Sequence, residues 1–157
     1  MAVNPSFIKS AYPLPVYNYR VSIGGSTLAF SELSGLSLQY EPITYKHGLS
    51  WKEGAEHMPG MKQPLRITLR RGIVQNRDNL LTWINTVQQN KVEKRDIVID
   101  LCDEKGDPLI SWLLRQAFPL KLDAPAFNAN SNEVAIESME LMAGDLLIDF
   151  HKQSAQT

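Results

Sequence analysis

The stretch Leu65 to Val87, LRITLRRGIVQNRDNLLTWINTV, changes period in its middle, and that change limits the folds open to the chain. Leu65, Ile67 and Leu69 alternate with Arg66, Thr68 and Arg70, the spacing of a strand with one buried face. Beyond Gly72 and Ile73 the apolar positions become Leu80, Leu81, Trp83, Ile84 and Val87, one stripe of a helix. Asn76 is placed to cap its start, and Asp78 suits the positive end of the helix dipole. No other stretch carries a comparable helical stripe. The expectation is a mainly β chain with one α-helix over about residues 77–90, its Leu80, Trp83, Ile84 and Val87 packed on a sheet.

The remaining periodicity supports strands. Tyr17, Tyr19, Val21 and Ile23 alternate with polar residues, and Gly24-Gly25-Ser26 has the chemistry of a hairpin turn into a return strand from Thr27 to Phe30. Leu36, Leu38 and Tyr40 resume the alternation after Ser34-Gly35, and Ile43 to Lys46 reads as a further short strand. Asp96 to Cys102 reads as a strand, followed by a turn at Asp103 to Pro108 and a partner strand from Leu109 to Arg115. That partner is apolar on both faces through Ile110, Trp112, Leu113 and Leu114, so the helix is expected to cover it, and Phe118-Pro119 to end it, with Leu120 to Leu122 as a brief continuation. In Glu133 to Ala143 the apolar residues change parity, which predicts a bulge near Glu137-Ser138. Leu146, Ile148 and Phe150 form a last strand. Three prolines make residues 1–15 an extended arm, and residues 151–157 a short polar tail. The segment His47 to Pro64 has three glycines, two prolines and no sustained period; it is expected as a long irregular loop reaching a partner.

The residues offer little to a chemist. At 157 residues the chain suits one domain with a real core. The net charge is -1, and the longest basic run, Lys91-Val92-Glu93-Lys94-Arg95, is broken by a glutamate, which argues against a nucleic-acid-binding face. The single cysteine, Cys102, excludes an internal disulfide and suits a reducing compartment. MAVNPSFIKSAYPLP has no secretory pattern and no apolar run approaches a bilayer span, so synthesis in the cytoplasm is expected. His47, His57 and His151 are scattered without metal-ligand spacing. Ser34 and Ser111 lack a nucleophile-elbow context, and Asp103, Glu104 and Asp107 lack the ladder of a calcium loop. The reading is a structural or interaction protein, not an enzyme, with no catalytic residue, metal or cofactor. A ligand-holding small β-barrel is the competing idea, and no polar cluster converges on a pocket to support it.

The order of signals goes further. YPLPVYNYRVSIGG, FSELSGLSLQYEPITYKHG, MPGMKQPLRITLRRGI, LLTWINTVQQNKVEKRDIVIDLCDEKGDPLISWLLRQAFPLKL and SNEVAIESMELMAGDLLI follow one another from Tyr12 to Ile148. This series resembles the tail-tube family of contractile phages and phage-like extracellular contractile injection systems. The specific parts are Ser34-Gly35-Leu36, Pro59-Gly60, the strand Ile67 to Ile73, Trp83-Ile84-Asn85 and Ala117-Phe118-Pro119. The resemblance implies a single domain over residues 1–157, a tail-tube-type β-barrel or sandwich with one flanking helix lying over Leu80, Trp83, Ile84, Val87 and Trp112. It implies rings of six copies that stack into a hollow tube inside a contractile sheath, with cargo or DNA in the lumen. Further partners would be the sheath, the baseplate or spike hub, and tube-terminating proteins. By the same resemblance, residues 47–64 form the inter-ring loop, and the contact candidates are Tyr12, His47, Trp51, Lys52, Glu53, Glu56, His57, Met58, Met61 and Lys62. This loop is longer than the family's and carries extra Gly and Glu residues, which leaves a tube-initiating ring at the baseplate as the alternative. A secreted ring of a type VI-like system is more distant.

Overall fold

The computed structural model describes residues 13–73, 75 and 79–151. Among the described residues, ten strands and two helices follow in order: β1 (Tyr19–Ile23), β2 (Ser26–Leu28), β3 (Glu32–Ser34), β4 (Tyr40–Tyr45), α1 (Ser50–Glu53), β5 (Glu56–Lys62), β6 (Leu65–Gly72), α2 (Asn79–Gln88), β7 (Arg95–Cys102), β8 (Pro108–Asp123), β9 (Ile136–Ala143) and β10 (Asp145–Phe150). All described strand pairs are antiparallel.

Eight strands form one hydrogen-bonded ladder that folds over at β8. The first half of β8 pairs with β7 on one side and β10 on the other; its second half pairs with β9. The result is two layers sharing one strand: sheet 1, ordered β2-β1-β7-β8-β10, and sheet 2, ordered β8-β9-β6-β3. The corner lies where Gln116 adopts φ 53 and its N–H donates to Asp96 Oδ1 at 3.0 Å, with Gly144 opposite, between β9 and β10. Strands that change sheet at such bends are how two layers join at a steep angle. The layers do not close into a barrel; of the two expected forms, the sandwich is the one found, because β2 and β3 end the ladder unjoined to each other.

One apolar cluster fills the space between the layers. Val21, Ile23, Ile97, Ile99, Leu114 and Leu146 come from sheet 1, and Leu65, Ile67, Leu69, Met139, Leu141 and Ala143 from sheet 2. Helix α2 adds Leu80 and Trp83, both buried. The Trp83 ring N–H donates to the Glu93 carbonyl at 2.6 Å, and the Arg95 guanidinium lies 5.3 Å from the ring centre. The helix ends with Asn90 at φ 55, while the Lys91 N–H returns to the Thr86 carbonyl, a left-handed terminus that Asn tolerates. Asn76 and Asp78, expected at the helix start, lie outside the described residues.

Several expectations are corrected. Ile84, Val87 and Trp112 are half-buried rather than enclosed, with Trp112 packed against the core. The helix packs against β8 as expected, but among Leu109 to Arg115 only Leu114 is fully buried. Strand β8 is not ended by Phe118-Pro119: the continuation over Leu120 to Leu122 belongs to it, and it runs unbroken to Asp123. Pro119 is tolerated because the irregularity in pairing falls there, between Pro119 and Lys121. No bulge occurs at Glu137-Ser138; β9 pairs with β6 without a break from Ile136 to Ala143. The parity change has a simpler cause, since Ile136 lies on the outer face at the sheet's end, opposite Gly72. Leu36 to Gln39 form no strand, and Glu32–Ser34 pair with β6 instead. Gly35 sets that boundary. It has φ 94, and a Cβ there would come within 2.4 Å of the Arg66 carbonyl oxygen.

Candidate assembly surface

The segment expected as an irregular loop is ordered. Strands β4 and β5 form a two-stranded ribbon, separate from the main ladder, with α1 at its tip. The period was hidden because His47–Glu53 turn through a helical corner and the strand resumes only at Glu56. His47 fixes that corner: its backbone N–H donates to Ser50 Oγ at 2.8 Å, and its Nδ1 accepts the Leu49 N–H at 3.2 Å. The Tyr45 ring lies 5.9 Å from the imidazole. Register runs Tyr45↔Glu56, Thr44↔His57, Ile43↔Met58 and Pro42↔Pro59, then slips before Tyr40↔Lys62. At the slip, Gly60 passes close over its partner strand: a Cβ would sit 2.4 Å from the Glu41 carbonyl oxygen and 2.8 Å from an Ile43 side-chain carbon. The Pro59-Gly60 step is therefore a steric requirement of the ribbon.

Apart from Tyr12, which lies outside the described residues, every contact candidate falls on this ribbon or its corner. Trp51, Lys52 and Glu53 are on α1, and Glu56, His57, Met58, Met61 and Lys62 on β5. Trp51 is 82% exposed and Met61 79%. His57 Nδ1 meets the Thr44 hydroxyl at 3.2 Å, so it braces the ribbon. Sequence reasoning missed the other half of this surface. Tyr40, Ile43, Tyr45 and Leu49 are large, apolar and exposed as well. It also missed the anchor, an ion pair between Lys62 at the ribbon's base and Asp145 at the start of β10. The Lys62 ammonium, and then the Leu146 N–H, hold the Asp145 carboxyl below its ordinary range.

A polar row crosses the outer face of sheet 1. Asp100 is buried and accepts from Arg20 at 3.0 Å and from the Ser111 hydroxyl at 2.5 Å. Ser111 Oγ also lies 2.7 Å from His151 Nε2. The three residue types invite comparison with a hydrolytic triad, but the order of partners is wrong for one. A carboxylate only accepts, so the single hydroxyl proton goes to Asp100 and His151 must be the donor to Ser111. The imidazole is then no base for that serine. Cys102 is buried nearby; burial raises its thiol pKa, the Arg20 charge opposes, and Asp100, Asp103 and Asp107 reinforce the rise, which keeps it protonated. Asp103 closes its turn by accepting the Lys105 and Asp107 N–H groups, each at 2.9 Å. Among the described residues no cluster of three His, Cys, Asp or Glu could hold a metal ion, and no helix is long and apolar enough to cross a membrane.

Comparison with known proteins agrees with this picture of a surface without a chemical centre. A chain from the extended-state sheath–tube complex of the PVC extracellular contractile injection system is 37% identical, with a TM-score of 0.87, covering 96% of this chain and all (100%) of that one. A chain from the tube-terminating cap of the anti-feeding prophage is 36% identical, with a TM-score of 0.84, covering 96% of this chain and 95% of that one. A chain from the six-fold symmetrised anti-feeding prophage baseplate shares the fold at 22% identity and a TM-score of 0.77, covering 89% and 97%. No curated protein matches. The pattern defining the T4-like virus tail tube protein gp19 family matches residues 15–146, and the chain belongs to that tail tube family, a family of structural components rather than enzymes.

Proposed function

We propose that the chain is the repeating subunit of the inner tube of a contractile injection particle or contractile phage tail. Six copies close into a ring, rings stack into a hollow tube, and the tube carries cargo through a target envelope. A sheath surrounds it, a baseplate with its spike hub starts it and a terminator ends it. The subunit is made in the cytoplasm before assembly.

The observation that carries this reading is the β4–β5 ribbon. A lone two-stranded ribbon has little stability of its own in water. This one is joined to the domain by its two ends and the Lys62–Asp145 pair, and exposes Tyr45, Trp51, Met58 and Met61. Exposed apolar surface of this kind marks a contact surface. Head-to-tail contacts between identical copies close into rings or propagate as filaments, so one such arm per subunit suits a stacked assembly. The alternative, a tube-initiating ring at the baseplate, rests on the longer loop with its extra Gly and Glu residues; the 22% likeness to a baseplate chain speaks for the fold alone. The likeness of 37% over 96% of the chain, to a chain from a sheath–tube complex, supports a tube subunit.

Negative-stain microscopy of the purified full-length chain tests the proposal. Long uniform tubes are the expected result. Rings that refuse to stack would favour the initiating ring, and particles that stay single at high concentration would end both readings.

A further inference from the structure

The tip of the arm has no core to hold it. Helix α1 is a single turn and buries none of its residues. A helix this short is not stable in water by its own ladder, so the hydrogen bonds around it decide its shape. His47 supplies them. Its Nδ1 accepts the Leu49 N–H at 3.2 Å, and its backbone N–H donates to Ser50 Oγ at 2.8 Å. The Ser50 N–H returns to the His47 carbonyl at 2.9 Å. A ring nitrogen that accepts carries no proton, so in this arrangement the imidazole is neutral with its hydrogen on Nε2. That Nε2 lies 3.9 Å from Glu53 Oε2, at the other end of α1.

We propose that His47 is a proton-operated fastening for this tip. The neutral ring holds α1 in shape. In an imidazolium both ring nitrogens are donors, so Nδ1–H would face the Leu49 N–H, donor against donor. The ring must leave that group, and the Glu53 carboxylate beside Nε2 offers it an ionic partner. The Leu49 N–H loses its acceptor, and the turn that carries Trp51 comes loose. Among the described residues Glu53 is the one charge within ion-pair distance of the ring. Lys46 precedes it in the chain, Lys52 shares α1, Glu56 pairs with Tyr45 where the two strands meet, and His57 is tied to Thr44. Imidazole is the side chain that ordinarily changes charge near neutral pH. The Lys62–Asp145 pair at the arm's base yields only in the carboxylate range, where Asp145 is held low. The tip therefore loosens first, with the base still attached. On the tube reading this tip is where copies meet, so protons would weaken the stack without detaching the arm.

A nitroxide spin label on Lys52→Cys reads the tip, since Cys102 is buried and stays unlabelled. The full-length protein is scanned from about pH 8 to pH 5, where imidazole ordinarily titrates. With His47 in place the label is expected to pass reversibly from slow to fast motion as pH falls. His47→Asn keeps an acceptor near the place of Nδ1 and takes up no proton, so its label should stay slow throughout. Glu53→Gln removes the ionic partner of the protonated ring, so the change should move to lower pH. A label that keeps the same mobility over the whole range while His47 is present overturns the inference. An equal change in His47→Asn would assign the step to another group and overturn it too, and an unmoved midpoint in Glu53→Gln would refute the exchange of partners. The label reports on the subunit itself, so failure here is distinct from failure of the tube reading, which microscopy decides.

Discussion

Two tryptophans divide the molecule. Trp83 is fully buried, hydrogen-bonded through its ring nitrogen and held among side chains of both sheets. Trp51 is 82% exposed on a one-turn helix at the tip of a ribbon. The same residue type is spent in one place on the fold and in the other on a surface that a single copy leaves uncovered. The lesson is that the sandwich is complete within one chain, whereas the arm is energetically unfinished.

Substitution at the two sites separates them most sharply. Trp83→Ala empties core volume beneath α2 and is expected to cost about 3–5 kcal/mol, read by thermal or denaturant unfolding. An unchanged midpoint would remove Trp83 from the core side of the comparison. Gly35→Ala should cost about 1–3 kcal/mol, since alanine must accept φ 94 and its Cβ must displace the Arg66 carbonyl. Unfolding measurements on that variant test whether the β3 boundary belongs with the rigid sandwich. Trp51→Ala should change stability by no more than about 0.5 kcal/mol and yet shorten or abolish tubes under the microscope. Tubes of normal length would take Trp51 out of the assembly surface.

The smallest effect concerns the arm's base. The Asp145 carboxyl is depressed by Lys62, so the pair's contribution is present above the ordinary carboxylate range and is lost as pH falls through the lowered folded value. A spin label at Met61 should gain mobility as pH falls through and below the ordinary carboxylate value of about 3.9, and Lys62→Met should abolish that change. A label indifferent to pH in the unmodified arm would show that the ribbon is held by something other than this pair.

The sandwich was legible in the sequence and the arm was not, for a physical reason. Strands β1 and β6 bury one face and leave the other nearer water, so Val21 and Ile67 alternate with polar neighbours. The turn at Gly24-Gly25 and the helix from Leu80 to Val87 declare themselves by the same logic of period and backbone freedom. In β4 every residue is exposed, so no inside and outside exist within one copy to write an alternation. The His47 corner, stitched by Ser50 and Leu49, then conceals that two strands flank it. Strand β8 was cut short for a different reason. Pro119 ordinarily ends pairing, and only a long-range fact, the slip against β9, accommodates it. The candidate residues on the arm were reached through family resemblance. Tyr40, Ile43 and Asp145 become visible only once the ribbon's register is known.

The strand that turns the corner at Gln116 has a mechanical meaning. Layers joined only by side chains can shear when pushed, since oily contacts reform as easily as they break. Here a continuous backbone, tied to β7 and β10 on one leg and to β9 on the other, runs through both, so sliding one layer over the other would have to tear amide ladders in concert. A tail tube subunit gains stiffness from that spar without any enlargement of its core.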